Sequence, residues 1–354
     1  MRGLGRRWSA AVLVSIGLLA AGCSGGGGTS NDIADLRLGQ GETILQFDGA
    51  AKLHMGGTLA MPEATGGRPV GAVLIVPTVA RNDRNGYLDI VPGDAVYQDL
   101  SKSITAAGMA AFRYDRRSMG VSKMEAGEQL TFEDMVTDAR LALQFLSQRT
   151  GIDAANMAVV GHDIGGVIAM RLAATDDKVK SLVLLSTPGR PLVDVMAGNF
   201  EATVSRDSAD AFRGVISTLL ATGSFPDRSG ILPEHQTVLP VGQDALQRAI
   251  YGLDPVAEAA KVKVPTLVVT GKQSTLVNPA DGTKLAAALT SAQTFTAEST
   301  ATLQKITAAL PQAFDPNDHR AHGGGRPPDT ADRDQPAVAA ITAYLSAKIA
   351  APRQ

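Results

Sequence analysis

Gly161-His162-Asp163-Ile164-Gly165 is the stretch on which the fold turns. It follows the apolar run Met157-Ala158-Val159-Val160 and precedes Val167-Ile168-Ala169-Met170-Arg171-Leu172-Ala173, whose apolar residues have helical spacing. Strand, glycine-flanked turn and helix form the setting of the G-x-S-x-G motif, which presents a serine on a tight turn. Here the serine position holds Asp163. Such a turn drives its central residue to positive φ, a conformation aspartate tolerates better than most residues. The helix that starts there favours negative charge at its N-terminus, so Asp163 is expected to be a carboxylate.

Working outward, strand and helix signals alternate. Extended segments over 43–48 and 54–61 read as an opening hairpin. Gly71-Ala72-Val73-Leu74-Ile75-Val76-Pro77 is a continuous apolar run, as in a central parallel strand. A helix over 94–107, a strand over 110–115 and an amphipathic helix from 131 to about 149 follow. Thr131 and Asp134 have the spacing of an N-terminal capping box. Beyond the elbow, 181–186 is another buried strand. The pattern then breaks over 188–260, where 208–222 and 244–252 read as helices. It resumes with a strand over 264–271, a helix over 279–289, a short strand over 293–297 and a final helix over 337–349. A polar stretch rich in Gly and Pro lies at 315–335. This alternation predicts an α/β fold with a doubly wound, mainly parallel sheet and a helical cap inserted after strand six.

The first residues read as an address. Arg2, Arg6 and Arg7 precede an uncharged apolar run from Trp8 to Ala21, which ends in Leu19-Ala20-Ala21-Gly22-Cys23. The run is shorter than the ~20 residues a spanning helix needs. It resembles a bacterial lipoprotein signal, which implies a signal peptide over 1–22, lipidation of Cys23 and an exported protein anchored to a membrane of the cell envelope. Residues 23–41, opening Ser24-Gly25-Gly26-Gly27-Gly28, would be a flexible tether, and 42–354 the folded domain. Removing the leader takes the formal net charge from −2 to −5, so nucleic acid is not an expected partner. Cys23 is the only cysteine, which excludes an internal disulfide and a thiolate nucleophile in the domain.

From about residue 42 onward the chain resembles the α/β-hydrolase superfamily, and within it bacterial esterase- or serine-peptidase-like hydrolases with a helical cap. Three motifs carry the resemblance. Asp83-Arg84-Asn85-Gly86 matches half of the family's oxyanion segment. Arg113-Tyr114-Asp115-Arg116-Arg117-Ser118-Met119-Gly120-Val121-Ser122 resembles its Arg-Tyr-Asp-Lys-Arg-Gly-x-Gly-x-Ser loop, and Leu130-Thr131-Phe132-Glu133-Asp134 also fits. The resemblance implies a serine nucleophile, an acid after the seventh strand, a histidine after the last strand and two backbone N–H donors for the oxyanion. This chain departs at each station. Asp163 replaces the serine, Ser274 the acid, and Ala301 stands nearest the histidine position. The oxyanion turn carries Thr78 and Val79 instead of glycine and a small residue, and its second donor would be Ile164. The changes imply a hydrolase-like protein with ester hydrolysis lost or severely reduced, retaining a site for a partner or a small apolar ligand. No cofactor is expected.

The alternative is an active enzyme. Haloalkane dehalogenases and epoxide hydrolases of the same superfamily place an aspartate at the elbow, in a Gly-His-Asp-Trp-Gly-Gly context that Gly161-His162-Asp163-Ile164-Gly165-Gly166 resembles. Asp163 would then be the nucleophile, and His319 or His322 the base that releases the covalent ester. Ile164 replaces the tryptophan, and 188–260 holds a single tyrosine, Tyr251. A purely structural envelope protein is a third class. His162 reads as turn support. His319-Arg320-Ala321-His322 matches no closed zinc pattern, and no metal is expected. Arg113, Asp115, Arg116 and Arg117 read as loop-fixing ion pairs. Met196, Phe200, Phe212, Leu219 and Leu220 read as cap core, with lining of a pocket above Asp163 as the other possibility.

Overall fold

The structure is a computed structural model that describes residues 38–63, 65–80, 82–86, 95–125, 128–303 and 333–349. The opening hairpin is β1 (Glu42–Asp48) against β2 (His54–Ala60), in antiparallel register from Glu42 opposite Ala60 to Asp48 opposite His54. Every residue of β3 (Val70–Val76) is buried, as a strand covered on both faces requires. Next come α1 (Val96–Ala106), β4 (Ala110–Tyr114) and α2 (Phe132–Ser147). The Thr131 hydroxyl caps α2, accepting from the Asp134 N–H at 3.0 Å. The elbow strand is β5 (Ile152–His162), followed by α3 (Ile164–Thr175) and β6 (Val179–Leu185).

The segment after β6 holds α4 (Leu192–Thr203), α5 (Arg206–Thr222), α6 (Pro233–Gln236), α7 (Asp244–Tyr251) and α8 (Pro255–Ala259). Only α5 and α7 stand out in the sequence pattern. Each of α6 and α8 is a single turn begun by a proline, too short for periodicity to reveal. The chain then returns to the sheet with β7 (Thr266–Gly271), α9 (Pro279–Ala288), β8 (Ala292–Ala297) and α10 (Gln335–Ile349).

The eight strands run in the order β1-β2-β4-β3-β5-β6-β7-β8. β2 pairs antiparallel with β1 and β4, and all pairs from β4 to β8 are parallel. Alternating side chains build two cores. Leu74, Val76, Val159 and Leu184 meet α2 and α3 on one face, while Val73, Ile75, Val160 and Leu185 meet α1 and α10 on the other. From β3 the chain moves outward to β4, and from β5 it moves the opposite way to β6. Ligands of open α/β sheets bind outside the carboxyl ends at such a reversal. Val76 lies opposite Gly161 in the β3–β5 register, so the turn after β3 and the turn after β5 meet there.

The cap has its own core. The rings of Phe200 and Phe212 are 5.0 Å apart, and Tyr251 stands edge-on to Phe212 at 5.8 Å. Met196, Phe200, Phe212 and Leu219 are buried and Leu220 packs partly against them. These residues are packed cap core rather than the walls of an open pocket. Among the described residues no helix is long and apolar enough to cross a membrane.

Candidate functional site

Asp163 sits between β5 and α3 with φ 53° and ψ −125°. Backbone hydrogen bonds hold it there, from the Asp163 N–H to the Leu185 carbonyl and from the Gly166 N–H to the Asp163 carbonyl, both at 2.9 Å. The flanking glycines are steric requirements. A Cβ on Gly165 would strike the carbonyls of Val76 and Pro77, and one on Gly166 would strike Thr187. The helix therefore packs directly against the end of β3, which brings Thr78 to the elbow.

Thr78 is the partner of the Asp163 side chain. Its hydroxyl donates to Asp163 Oδ2 at 2.6 Å, the length of a charge-assisted O–H···O bond. Burial pushes the Asp163 carboxyl up to about 6, against the opposing pull of the Thr78 hydroxyl and the Ile164 N–H. Desolvation thus works against the helix N-terminus, and at about 6 the group is still mainly a carboxylate at pH 7. The residue keeps a partly accessible surface.

Behind the elbow, a second chain of bonds crosses the site. The Thr78 N–H donates to the Tyr97 hydroxyl at 2.9 Å, and that hydroxyl lies 2.9 Å from His162 Nδ1. The His162 ring also bonds the Ala301 carbonyl. The Tyr97 hydroxyl accepts the Thr78 N–H and so has its own proton to give to His162 Nδ1. Burial lowers His162 to about 4, so the ring is neutral at pH 7. It faces away from the Asp163 carboxylate and supports the turn.

The other stations are occupied as follows. Ser274 lies in the turn after β7, where its hydroxyl accepts from the Val277 N–H at 3.3 Å. Ala301 lies in the turn after β8, and its carbonyl also accepts from the Ser186 hydroxyl at 3.0 Å. Val79 is buried beside Thr78, and Ile164 is buried at the first position of α3. Among the described residues no imidazole bonds the Asp163 carboxylate. His319, His322 and Cys23 lie outside the described residues. Among the described residues no group of three or more His, Cys, Asp or Glu is placed to hold a metal.

The arginine-rich loop after β4 supports the site from below. Arg117 grips Asp138 with two bonds, Nε to Oδ2 at 2.6 Å and Nη2 to Oδ1 at 2.8 Å. Arg113 reaches Glu42 on β1 at 2.8 Å and Asn85 Oδ1 at 2.9 Å. Asp115 accepts the Arg84 N–H at 2.8 Å and the Val121 N–H at 3.1 Å. Arg116 donates to the Ala80 and Arg117 carbonyls. A cavity lined by Pro77, Val79, Met135 and Ile168 lies under the turn after β3, with room for about one water molecule. Tyr97 and Ser186 are the site residues that sequence reasoning misses. In a helix with an apolar face Tyr97 reads as core, and nothing in its spacing signals its hydroxyl bond.

A family model described as serine aminopeptidase, S33, matches residues 94–216. The polyketide transferase claH of Penicillium crustosum is 24% identical over 139 residues, 39% of this chain and 42% of that protein. The chain thus spans less than half the length of that curated relative. Three solved structures are similar. DcsB in complex with its substrate analogue has a TM-score of 0.55 at 15% identity, covering 88% of this chain and 100% of that one. The α/β hydrolase GrgF from Penicillium sp. sh18 has 0.54 at 13%, covering 87% and 99%. Est1E of Butyrivibrio proteoclasticus, with ferulic acid bound, has 0.54 at 14%, covering 86% and 98%. With its strand order, its positive-φ elbow at the sheet's reversal point and these neighbours, the chain has the α/β-hydrolase fold.

Proposed function

We propose that this protein is esterase-like by descent but has lost, or nearly lost, ester hydrolysis, and that it retains a binding role toward a small apolar ligand or a partner. The observation that carries the reading is the Asp163 carboxyl bonded to the Thr78 hydroxyl, with no imidazole on it among the described residues. A carboxylate at the elbow opposes ester chemistry directly. An oxyanion forming ~4 Å from it is disfavoured by about 4 kcal/mol at an effective dielectric near 20. That corresponds to roughly a thousandfold in rate. The Thr78 N–H, on the oxyanion turn, is already spent on Tyr97. Ser274 and Ala301 supply neither an acid nor a base.

A second reading, Asp163 as nucleophile with His319 or His322 as base, draws support from the elbow itself. At φ 53° the residue has the turn conformation that presents a nucleophile. One experiment separates the two. The full chain and Asp163→Ala are assayed on short acyl esters, an epoxide and a haloalkane. No turnover above background by either protein is the expected result. Turnover by the wild type that vanishes in Asp163→Ala overturns the first reading in favour of the second.

Export and lipid anchoring through Cys23 belong to the same proposal. Metabolic labelling with palmitate should mark the wild type and not Cys23→Ser. An unlabelled wild type would remove the anchor from the account.

A further inference from the structure

The cap has a titratable group at its centre. His235, on α6, is 0% exposed. Its ring lies edge-on to two others, at 4.6 Å from Phe200 of α4 and 5.2 Å from Phe212 of α5. Nε2 is 3.0 Å from the Ser208 hydroxyl at the start of α5, and that hydroxyl donates to Glu234 Oε1 at 2.9 Å. With its own proton given to Glu234, Ser208 accepts from Nε2–H, and Nδ1 carries the lone pair. Nδ1 is buried without a hydrogen-bond partner. One imidazole thus joins three helices of the cap, in surroundings that suit the neutral ring. A proton added at Nδ1 would create a buried cation and a donor with no acceptor bonded to it. Burial holds His235 below the usual imidazole range, against the pull of Glu234.

Glu234 is the charged group that faces this ring, one step away through Ser208. The charges of the neighbouring helices pair with one another. Arg213 lies between Asp194 of α4 and Asp210 of α5, and Arg206 also reaches Asp210. Arg228, in the turn before α6, donates to the Leu239 carbonyl. Tyr251 of α7, beyond Phe212, is pushed up by burial and stays un-ionised. At the elbow two titrations oppose one another, since burial raises Asp163 and lowers His162. No such opposition comes from Glu234, which is held low chiefly by its own backbone N–H. We propose that the cap carries an acid-sensitive joint, in which protonation of His235 loosens the packing of α4, α5 and α6 while the α/β core stays folded. A histidine buried neutral takes its proton more readily in the opened state, so the joint is tight above about pH 6.5 and weakens as pH falls below it. Opening bares the apolar rings of Phe200 and Phe212.

The test is hydrogen exchange of the full chain in detergent at pH 7.5, 6.0 and 5.0, read by mass spectrometry as protection relative to the intrinsic exchange rate at each pH. Protection over 200–215 and 232–238 should fall severalfold between pH 7.5 and 5.0, with a ceiling of about thirtyfold that an unfolded histidine near 6.5 sets. Protection over 157–170, across β5 and α3, should fall less. His235→Phe, which keeps a ring among the phenyl groups and does not titrate, should hold cap protection constant over the same range. Equal loss in cap and core, no loss in the cap, or a cap loss that persists in His235→Phe would each overturn the inference. Should His235→Phe fail to fold, NMR of the wild-type His235 ring decides. A ring that titrates over the range in which cap protection is lost supports the joint, and one that titrates outside that range overturns it.

Discussion

Thr78 donates its hydroxyl to Asp163 Oδ2 across 2.6 Å, joining the turn after β3 to the elbow after β5. A hydrogen bond to a charged group contributes about 1.5–3 kcal/mol, so this one favours the carboxylate against its desolvation. Thr78→Val removes the donor and keeps the shape. The Asp163 carboxyl, already at about 6, should rise by about one further unit. A carboxyl-detected NMR titration reads the value. An unchanged midpoint would mean that burial alone sets it.

Asp163 and His162 pull stability in opposite directions as the solution is acidified. The Asp163 carboxyl is raised to about 6 in the fold, so the folded chain binds its proton more tightly than the unfolded chain does. Its contribution improves as pH falls from about 6 to about 4. His162 is lowered to about 4, so the unfolded chain takes that proton first, and stability falls as pH drops from about 6.5 to about 4. Asp163→Asn removes the first slope only. The variant should be about 2 kcal/mol more stable than wild type at pH 7.5, somewhat less than two pKa units imply, because part of the residue meets solvent. Its advantage should disappear near pH 4. Urea unfolding at several pH values measures both slopes, and equal stability at pH 7.5 contradicts the argument.

Tyr97→Phe isolates the bonds behind the elbow. The hydroxyl accepts from the Thr78 N–H and bonds His162 Nδ1, and Tyr97, Thr78 and His162 are all buried. Removing it strands a donor and an acceptor together, at about 1–3 kcal/mol each. The expected loss is about 2–4 kcal/mol in denaturant unfolding, accompanied by a rise in the exchange rate of the Thr78 amide. A loss under 1 kcal/mol with the amide still protected would show that the site repacks around the phenyl ring.

The sheet is legible in the chain because strands buried on both faces are apolar nearly throughout, as Gly71–Val76 and Leu182–Leu185 are. The elbow is legible because its packing admits only glycine at Gly165 and Gly166. Ser274 and Ala301 are readable as replacements because each follows a recognisable strand. The Tyr97 bond is not legible, since a hydroxyl on a buried helix face leaves no periodic mark. Nor is the raised pKa of Asp163. The sequence carries the helix that favours the anion but not the desolvation that opposes it, and the larger effect is the hidden one.

Arg117 and Asp138 test the support beneath the site. Both side chains are nearly inaccessible, and their two bonds are 2.6 and 2.8 Å long. Asp138 also accepts the Ala50 N–H at 2.8 Å, tying the loop after β4 to the opening hairpin. Arg117→Ala leaves a buried carboxylate unpaired and should cost about 3–5 kcal/mol. Arg117→Met with Asp138→Leu, which removes both charges, should cost less than the single change. A chemical-denaturation cycle over the variants decides, and a double variant worse than Arg117→Ala would assign the pair a larger share of the fold's stability.

Restoring the nucleophile should not restore the enzyme. Asp163→Ser removes the carboxylate that opposes an oxyanion and puts a hydroxyl on a turn whose conformation is already set by the backbone bonds from Asp163 and Gly166. A serine hydroxyl still needs a base. Among the described residues His162 is engaged with Tyr97 and Ala301, and Ser274 offers no carboxylate to orient another imidazole. The Thr78 N–H remains turned onto Tyr97. Asp163→Ser should therefore show no p-nitrophenyl acetate turnover above the Asp163→Ala background, while gaining the stability at pH 7.5 that loss of the buried charge provides. Esterase activity in Asp163→Ser that is abolished by His319→Ala or His322→Ala would place the missing base in the segment after Leu303 and reassign the site as an aspartate-blocked hydrolase.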